Sequence, residues 1–331
     1  MVGASAGGVE ALRELMRGLP GDLPAAMLIV LHMAARGRGA LARVLQRVAA
    51  LEVTPAEDLA PVRPGRVYVA RPDRHLLLRD GEVRLGRGPR ENGYRPAVDP
   101  LFRSAARWYA ARTVAVVLSG SLDDGAAGAL AVARRGGTVA VQDPADAMYD
   151  GMPSAALRAV GSAVVAPAAE LPGQLTRLVG GPAAAPGGGT GREMGGTLRL
   201  ETDLAELDPE ALHQPARPGT PSRVSCPDCH GVLFRIDDRP TVRYRCRVGH
   251  AWSPGALEAS KDQEVEDAIW VAIRALKERT ALYRDLAERA RGSGLPESAA
   301  RYEERQRQAE RAAETIRGLL TSGRLGLGEP G

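Results

Sequence analysis

The chain has 331 residues, which at about 150 residues per domain suggests two domains. Hydrophobic residues make up 44% and charged residues 25%, ordinary globular usage that excludes a wholly disordered or collagen-like chain. The net charge of +4 is uneven: residues 1–180 hold 22 basic and 17 acidic residues, the remainder 22 and 23, so the first part would favour an acidic partner. In chain order, the first part alternates short apolar runs with helical patterns. Strands are predicted at Ala25–Leu31, Val67–Ala70, Val114–Leu118, Thr138–Gln142 and Ala163–Ala166. Helices are predicted at Val9–Gly18, Leu41–Ala49, Pro100–Ala111, Gly125–Arg135, Pro153–Val160 and Ala168–Val179. Asp80-Gly81 marks a two-residue turn between His75–Arg79 and Glu82–Leu85, hence a hairpin. Strand and helix in alternation imply an α/β fold, a doubly wound and mostly parallel sheet with helices on both faces.

From Gly180 the composition turns to Gly, Ala and Pro, and residues 181–223 read as a linker. A compact Cys/His module follows over 224–254. Residues 255–323 read as a helical hairpin with an apolar stripe of Val265, Ile269, Ala272, Ile273, Leu276, Leu282 and Leu286. Gly292-Ser293-Gly294 breaks the first helix and Pro296 opens the second. A self-packed coiled coil is the expected form, with an arm for signalling partners as the alternative. Residues 324–331 are expected to be a disordered tail. The longest apolar stretch, from Ala25 to Ala35, is interrupted by His32, whereas a membrane helix needs about 20 apolar residues. No basic segment with an apolar run opens the chain. A cytoplasmic protein without membrane insertion is expected.

Gly3-Ala4-Ser5-Ala6-Gly7 has the pattern of a nucleophile elbow, a sharp strand-to-helix turn that lifts Ser5 clear of the sheet. The helix N-terminus behind it offers unpaired N–H groups suited to an oxyanion. A phosphate loop or a packed tight turn would look similar. The next strand ends at His32, where a dinucleotide-binding unit would carry an acidic residue. A third strand ends in Gly120-Ser121-Leu122-Asp123-Asp124-Gly125. Ser, His and Asp thus each follow a strand end on the side where parallel sheets bind ligands. His32 could instead be a satisfied core residue, and either aspartate could cap the helix near Gly125.

Residues 2–179 resemble the catalytic domain of the chemotaxis-type protein-glutamate methylesterases, the CheB family. The resemblance lies in GASAGGVEAL at the start and LH at His32. It continues through GRVYVARPDRHLLL at 65–78, RPAVDPLFRSAA at 95–106, LSGSLDDGAAGAL at 118–130 and QDPADAMYDGMPSAAL at 142–157. It implies that Ser5 is the nucleophile, His32 the general base and Asp124, directly before Gly125, the residue that orients His32. It also implies oxyanion or substrate contacts at Ala6, Ser121 and Met152. Two departures concern the oxyanion region: Leu122 stands where the family has Gly, and Ala34 where it often has Pro. The implied reaction is hydrolysis of glutamyl γ-methyl esters on chemoreceptor-like proteins, with glutamine deamidation open to the same site, and no cofactor in catalysis. The family's regulated members carry a receiver domain ahead of the catalytic one, whereas this chain opens at the elbow. Only Met1 and Val2 precede Gly3, so a natural start several residues upstream is expected. Rival expectations are a non-catalytic signalling scaffold that keeps the fold, and a nucleotide-binding domain, against which His32 argues.

All three cysteines lie between positions 226 and 246, which argues against a disulfide framework. Cys226-x2-Cys229-x16-Cys246-x3-His250 is a Cys3His spacing for structural zinc. Such a closed site leaves no place for substrate, and because a linker precedes it, metal removal is expected to leave the catalytic domain unharmed. Reduced reactive thiols are the alternative. Arg235, Arg239, Arg243, Arg245 and Arg247 cluster here, but few aromatics are interleaved, so nucleic acid is not expected as a partner.

Overall fold

The computed structural model describes residues 1–37, 39–181, 196–214 and 218–322. The tail at 324–331 and residues 182–195 of the expected linker lie outside the described residues. Strands β1 (Val2–Ala4), β2 (Met27–Leu31), β3 (Glu52–Pro55) and β4 (Arg66–Val69) are followed by the hairpin β5 (His75–Arg79) and β6 (Glu82–Gly86), then β7 (Val114–Val117), β8 (Thr138–Gln142) and β9 (Val164–Ala166). Between them run α1 (Gly8–Gly18), α2 (Leu41–Gln46), α3 (Val98–Tyr109), α4 (Ala126–Arg134) and α5 (Gly151–Val160), with α6 (Leu171–Gly180) last. Seven strands form one parallel sheet in the order β3-β4-β2-β1-β7-β8-β9, with β5 and β6 as a separate hairpin. β1 is central: Val2 pairs with Ile29 on one side and Val116 on the other.

The doubly wound expectation is met, and each face of the sheet has its own core. Leu12, Leu15 and Met16 of α1 pack with Leu45 of α2 and Leu171 of α6 on one face. Leu101 and Phe102 of α3, Val132 of α4 and Met152 of α5 pack on the other. Each such side chain, fully buried, contributes about 2 kcal/mol of transfer free energy. The strand β3 has no counterpart among the predicted elements. It is an edge strand in which Val53 alone is buried, too little apolar alternation to register.

The expected linker is corrected by the structure. Residues 196–213 carry α7 (Gly196–Ala205) and α8 (Pro209–His213). Leu200 and Leu204 of α7 are buried, and the Asp208 side chain caps α8 by accepting from the N–H of Glu210 and Ala211. The Cys/His module begins earlier than expected, at β10 (Thr220–Ser225), and continues as β11 (Val232–Asp238), β12 (Thr241–Cys246) and β13 (Ala251–Trp252) in one antiparallel sheet. Residues 1–257 form one compact unit, so this ribbon packs on the parallel-sheet domain instead of hanging from a linker.

The second unit covers residues 258–331. It holds most of α9 (Pro254–Gly292) and all of α10 (Pro296–Thr321). From Ile269 on, the less exposed positions of α9 include a heptad row of Ile269, Ile273, Leu276, Thr280, Tyr283, Ala287 and Ala290, with Ala272 and Leu286 of the expected stripe beside it. Those of α10 do the same at Ala299, Tyr302, Gln306, Ala309, Ala313, Ile316 and Leu320. Tyr283 and Tyr302 stack at 6.5 Å, and Arg291 pairs with Glu303 at 3.1 Å. Leu282 and Val265, expected in the stripe, are instead about half exposed, because the seam runs at a 3.5-residue period that bypasses them. No described helix is long and apolar enough to cross a membrane.

Candidate active site and metal centre

The elbow forms because β1 ends at Ala4 and α1 starts at Gly8, leaving three residues to reverse from strand to helix. Gly7 takes φ +68°, a left-handed conformation that side chains strain. The Ser5 N–H is held by the Ser119 carbonyl at 2.9 Å, and Ser119 Oγ donates to the Ala6 carbonyl at 2.8 Å. Two strand ends, β1 and β7, are thereby locked together beneath Ser5.

His32 lies just past the end of β2, its N–H bonded to the Ala4 carbonyl at 3.1 Å. Its Nδ1 is 3.0 Å from Ser5 Oγ and its Nε2 is 2.6 Å from Asp124 Oδ2. With the Nε2 proton donated to Asp124, the Nδ1 lone pair faces the Ser5 hydroxyl. The side chains of His32 and Asp124 are 6% and 3% exposed, so this chain of bonds runs in a water-poor interior. Sequence-predicted Ser5, His32 and Asp124 are therefore brought together.

Asp124 sits against the N-terminus of α3. It accepts from the N–H groups of Val98 at 2.7 Å, Asp99 at 3.2 Å and Gly125 at 2.9 Å, and from Asn92 Nδ2 at 3.0 Å. Burial pushes its carboxyl up, but the His32 bond and charge and the α3 N–H groups outweigh that and hold it below the usual carboxylate range. Asp99, whose N–H is one of those donors and whose side chain is also buried, is pushed the other way, by burial first and then by the Asp124 charge. Asp124 is thus favoured in its ionised form behind His32, beside a carboxyl whose ionisation is opposed.

The remaining predicted contacts divide. Among the described residues the backbone N–H groups of Ala6 and Ser121 have no hydrogen-bond acceptor and remain available to an oxyanion. Met152 is a correction. Its N–H is spent on the Gly120 carbonyl at 2.8 Å, and its buried sulfur occupies the space a Cβ on Gly120 would need. It packs the loop and offers no donor. Leu122 adopts φ +63° and is 41% exposed as a residue, a strained state where glycine would be relaxed.

Two residues absent from the predicted site belong to it. Tyr94 stacks flat on His32, centroids 3.9 Å apart and planes within 6°. Asn92 donates to Asp124. Both belong to the tight turn Glu91–Tyr94, which has positive φ at Asn92 and Gly93 and is closed by paired Glu91 and Tyr94 backbone bonds. The Asn-Gly dipeptide was the available signal, since that turn type favours it. The cleft over Ser5 and His32 is lined by Ala6, Met33, Arg90 and Tyr94.

The pattern of the CheB methylesterase family matches residues 1–175. The chain belongs to the CheB methylesterase family. It is 42% identical over 182 residues to "Protein-glutamate methylesterase/protein-glutamine glutaminase 5" of Anaeromyxobacter dehalogenans (strain 2CP-C), covering 54% of this chain and 50% of that protein. It is 44% identical over 159 residues to the protein of the same name from Myxococcus xanthus (strain DK1622), covering 47% and 46%. Its structure is similar to the CheB methylesterase catalytic domain of Thermotoga maritima, with a TM-score of 0.52 and 36% identity, covering 54% of this chain and 96% of that one. The chain spans about half the length of the curated relatives it matches.

Cys226, Cys229, Cys246 and His250 form the second constellation. Their ligand atoms all lie within 4.8 Å of one another. Cys226 Sγ and Cys246 Sγ stand 3.8 and 3.6 Å from His250 Nδ1, and Cys229 Sγ is 3.6 Å from Cys246 Sγ. A tetrahedral ion with bonds of about 2.3 Å requires ligand separations of about 3.7 Å, so the donor set fits one. Asp228 Oδ2 lies 3.9 Å from His250 Nε2, placed to steady the ring from behind.

The ribbon is tied down by a buried ionic cluster. Arg103 of α3 reaches both oxygens of Glu91 at 2.6 Å, and Arg245 of β12 pairs with Glu91 at 3.1 Å and Glu201 of α7 at 3.2 Å. Arg243 adds a 2.5 Å bond to Glu201. Burial pushes Glu201 up, yet Arg243, Arg103 and Arg245 bring it down to about 2. Arg243 and Arg245 thus face inward, two members of the arginine cluster that do not form a basic surface.

Proposed function

We propose that this protein is a serine-type carboxylic ester hydrolase that removes methyl groups from glutamyl γ-methyl esters on chemoreceptor-like proteins. The observation that carries the reading is the continuous Ser5–His32–Asp124 chain, 3.0 and 2.6 Å long, with Asp124 held by four further donors. His32 Nδ1 takes the Ser5 proton as Oγ bonds to the γ-carbonyl carbon. The carbonyl oxygen becomes an oxyanion facing the Ala6 and Ser121 N–H groups. Methoxide leaves, taking the proton from His32. Water, deprotonated by His32, then opens the acyl-enzyme to release the glutamate side chain and restore Ser5. Glutamine deamidation forms the same acyl-enzyme with ammonia as leaving group. A non-catalytic scaffold would have no use for a carboxylate desolvated behind His32 at such cost.

The Cys3His site is assigned to structural zinc, on the donor set and its spacing. The three free thiols and the apolar content of the helices fit a cytoplasmic protein, with signalling partners reaching the C-terminal helices through outward side chains such as Trp270, which is half exposed. The test of the activity is methanol release from a methylated receptor preparation. Release by the native protein and none by Ser5→Ala supports the reading; equal release by both overturns it.

A further inference from the structure

The metal centre and the triad meet on a single turn. His250 is followed by β13, whose Ala251 bonds across to the parallel-sheet domain: its N–H donates to the Arg90 carbonyl at 3.3 Å, and its carbonyl accepts from the Asn92 N–H at 2.8 Å. Two residues on, the Ser253 N–H donates to Asn92 Oδ1 at 2.8 Å, while the other end of that amide donates to Asp124 Oδ1 at 3.0 Å. Ser253 Oγ also donates to Asp123, whose second oxygen accepts from the Gly255 N–H at 3.2 Å. Both aspartates of the β7–α4 loop are therefore held from the ribbon, one directly and one through Asn92. Asn92 is 6% exposed. The carboxamide accepts from Ser253 through its oxygen and donates to Asp124 through its nitrogen.

Resting on the reading of Ser5, His32 and Asp124 as the reacting groups, we propose that the Cys/His module is a positioning element for the active site. A metal ion on its four ligands holds Ala251–Ser253 in place, and through Asn92 that segment sets Asp124 behind His32. The ribbon's own core is small: Leu233, Trp252, Ala256 and Leu257 with the buried cysteines. Such a core depends on its metal for order. Cys246 N–H to His250 carbonyl, 3.0 Å, is the backbone bond that the ion would clamp, three residues from Ser253. Asp124 retains three backbone donors without Asn92, so loss of the strut re-aims the carboxylate without stranding its charge. Asn92 acts through Asp124 and is a positioning residue. On this reading metal removal disturbs the catalytic domain, the opposite of what an intervening linker would predict.

The test uses the full chain in two backgrounds, native and Asn92→Ala, each loaded with zinc chloride or stripped by chelator, with bound metal counted by elemental analysis. The readouts are the rate of Ser5 phosphonylation by a small fluorophosphonate, the far-downfield proton resonance of His32 Nε2–H, and the thermal unfolding midpoint. Stripping should slow phosphonylation of the native chain by up to about a hundredfold, the scale of a small misplacement. The downfield resonance should broaden, and zinc chloride should restore both. In Asn92→Ala the rate should already be low, and stripping should change it by less than about twofold. Equal losses in the two backgrounds, no loss in the native chain, or a full rate without bound metal would each overturn the proposal. If stripping unfolds the chain, loaded Asn92→Ala decides: a slow rate at an unchanged midpoint supports the strut, a native rate overturns it. Phosphonylation needs only Ser5 and its base, so failure to release methanol from a receptor would count against the substrate and not against the strut.

Discussion

The parallel-sheet domain and the Cys/His ribbon solve the same problem, fixing a few polar side chains, by opposite means. The sheet domain does it with apolar mass. Seven strands sandwiched between helices lock β1, β2 and β7 in register, so Ser5, His32 and Asp124 need only project from strand ends. The ribbon has four short strands and a handful of apolar side chains, so it leans on buried ion pairs to Glu91 and Glu201 and, under the proposed assignment, on a metal held by its Cys3His donors. Rigid hydrophobic packing tolerates the loss of one polar bond, while a structure held by charges and ligands does not. The two regions should therefore fail differently.

The largest expected effect is chemical. Ser5→Ala should cut ester hydrolysis by about 10⁴-fold or more while leaving the unfolding midpoint near native, since Ser5 lies on a turn outside both cores. His32→Ala should lose as much, and the double variant no more than either, because the three side chains act as a unit. Steady-state kinetics of the three proteins would check this; additive losses would contradict a triad.

Breaking the ribbon's attachment comes next. Arg245→Met removes one cation from the buried cluster and leaves Glu91 and Glu201 with fewer partners, which should cost about 3 kcal/mol of stability. Denaturant unfolding would read it. An unchanged midpoint would show that the ribbon does not lean on these pairs.

Acid should separate the regions more gently. Glu201 is lowered from 4.5 to about 2 in the folded protein, so the unfolded chain takes up its proton first as the pH falls. The stability it contributes is complete above pH about 4.5 and lost between there and about 2. Glu91 is lowered too and acts in the same direction. Unfolding midpoints measured across that window should fall, and Glu201→Gln should flatten the fall while starting from a lower value.

The smallest effect belongs to Leu122. Relieving its left-handed backbone with Leu122→Gly should raise stability by less than about 1 kcal/mol, because the entropy of glycine offsets part of the strain released. Thermal unfolding would detect a small rise; a marked loss would mean that the exposed leucine packs on something.

Much of the site was legible because its signals are local. A small-residue turn around Ser5, a strand that ends at His32, a strand that ends in Asp123-Asp124, and cysteines at x2 and x16 spacing each lie within one segment and follow from backbone geometry or ligand reach. The resemblance to the methylesterases settled which aspartate faces His32, and the five bonds at Asp124 agree with it. The edge strand β3 and helix α7 escaped because one carries a single buried valine and the other sits behind glycine-rich sequence with a buried glutamate that periodicity reads as surface.

By itself, then, the sequence determined the alternation of strand and helix, the presence of two C-terminal helices and the two sets of reactive side chains, all of which depend on residue type at short separations. Tertiary structure alone decided that the ribbon is no tethered appendage. Glu91 and Arg245 are 154 positions apart, Asn92 and Ser253 161 apart. No periodicity links residues across such a span. They meet because the Asn92-Gly93 turn and the strand after His250 fold against the same loop, and because a buried charge must find its partner wherever the chain brings one.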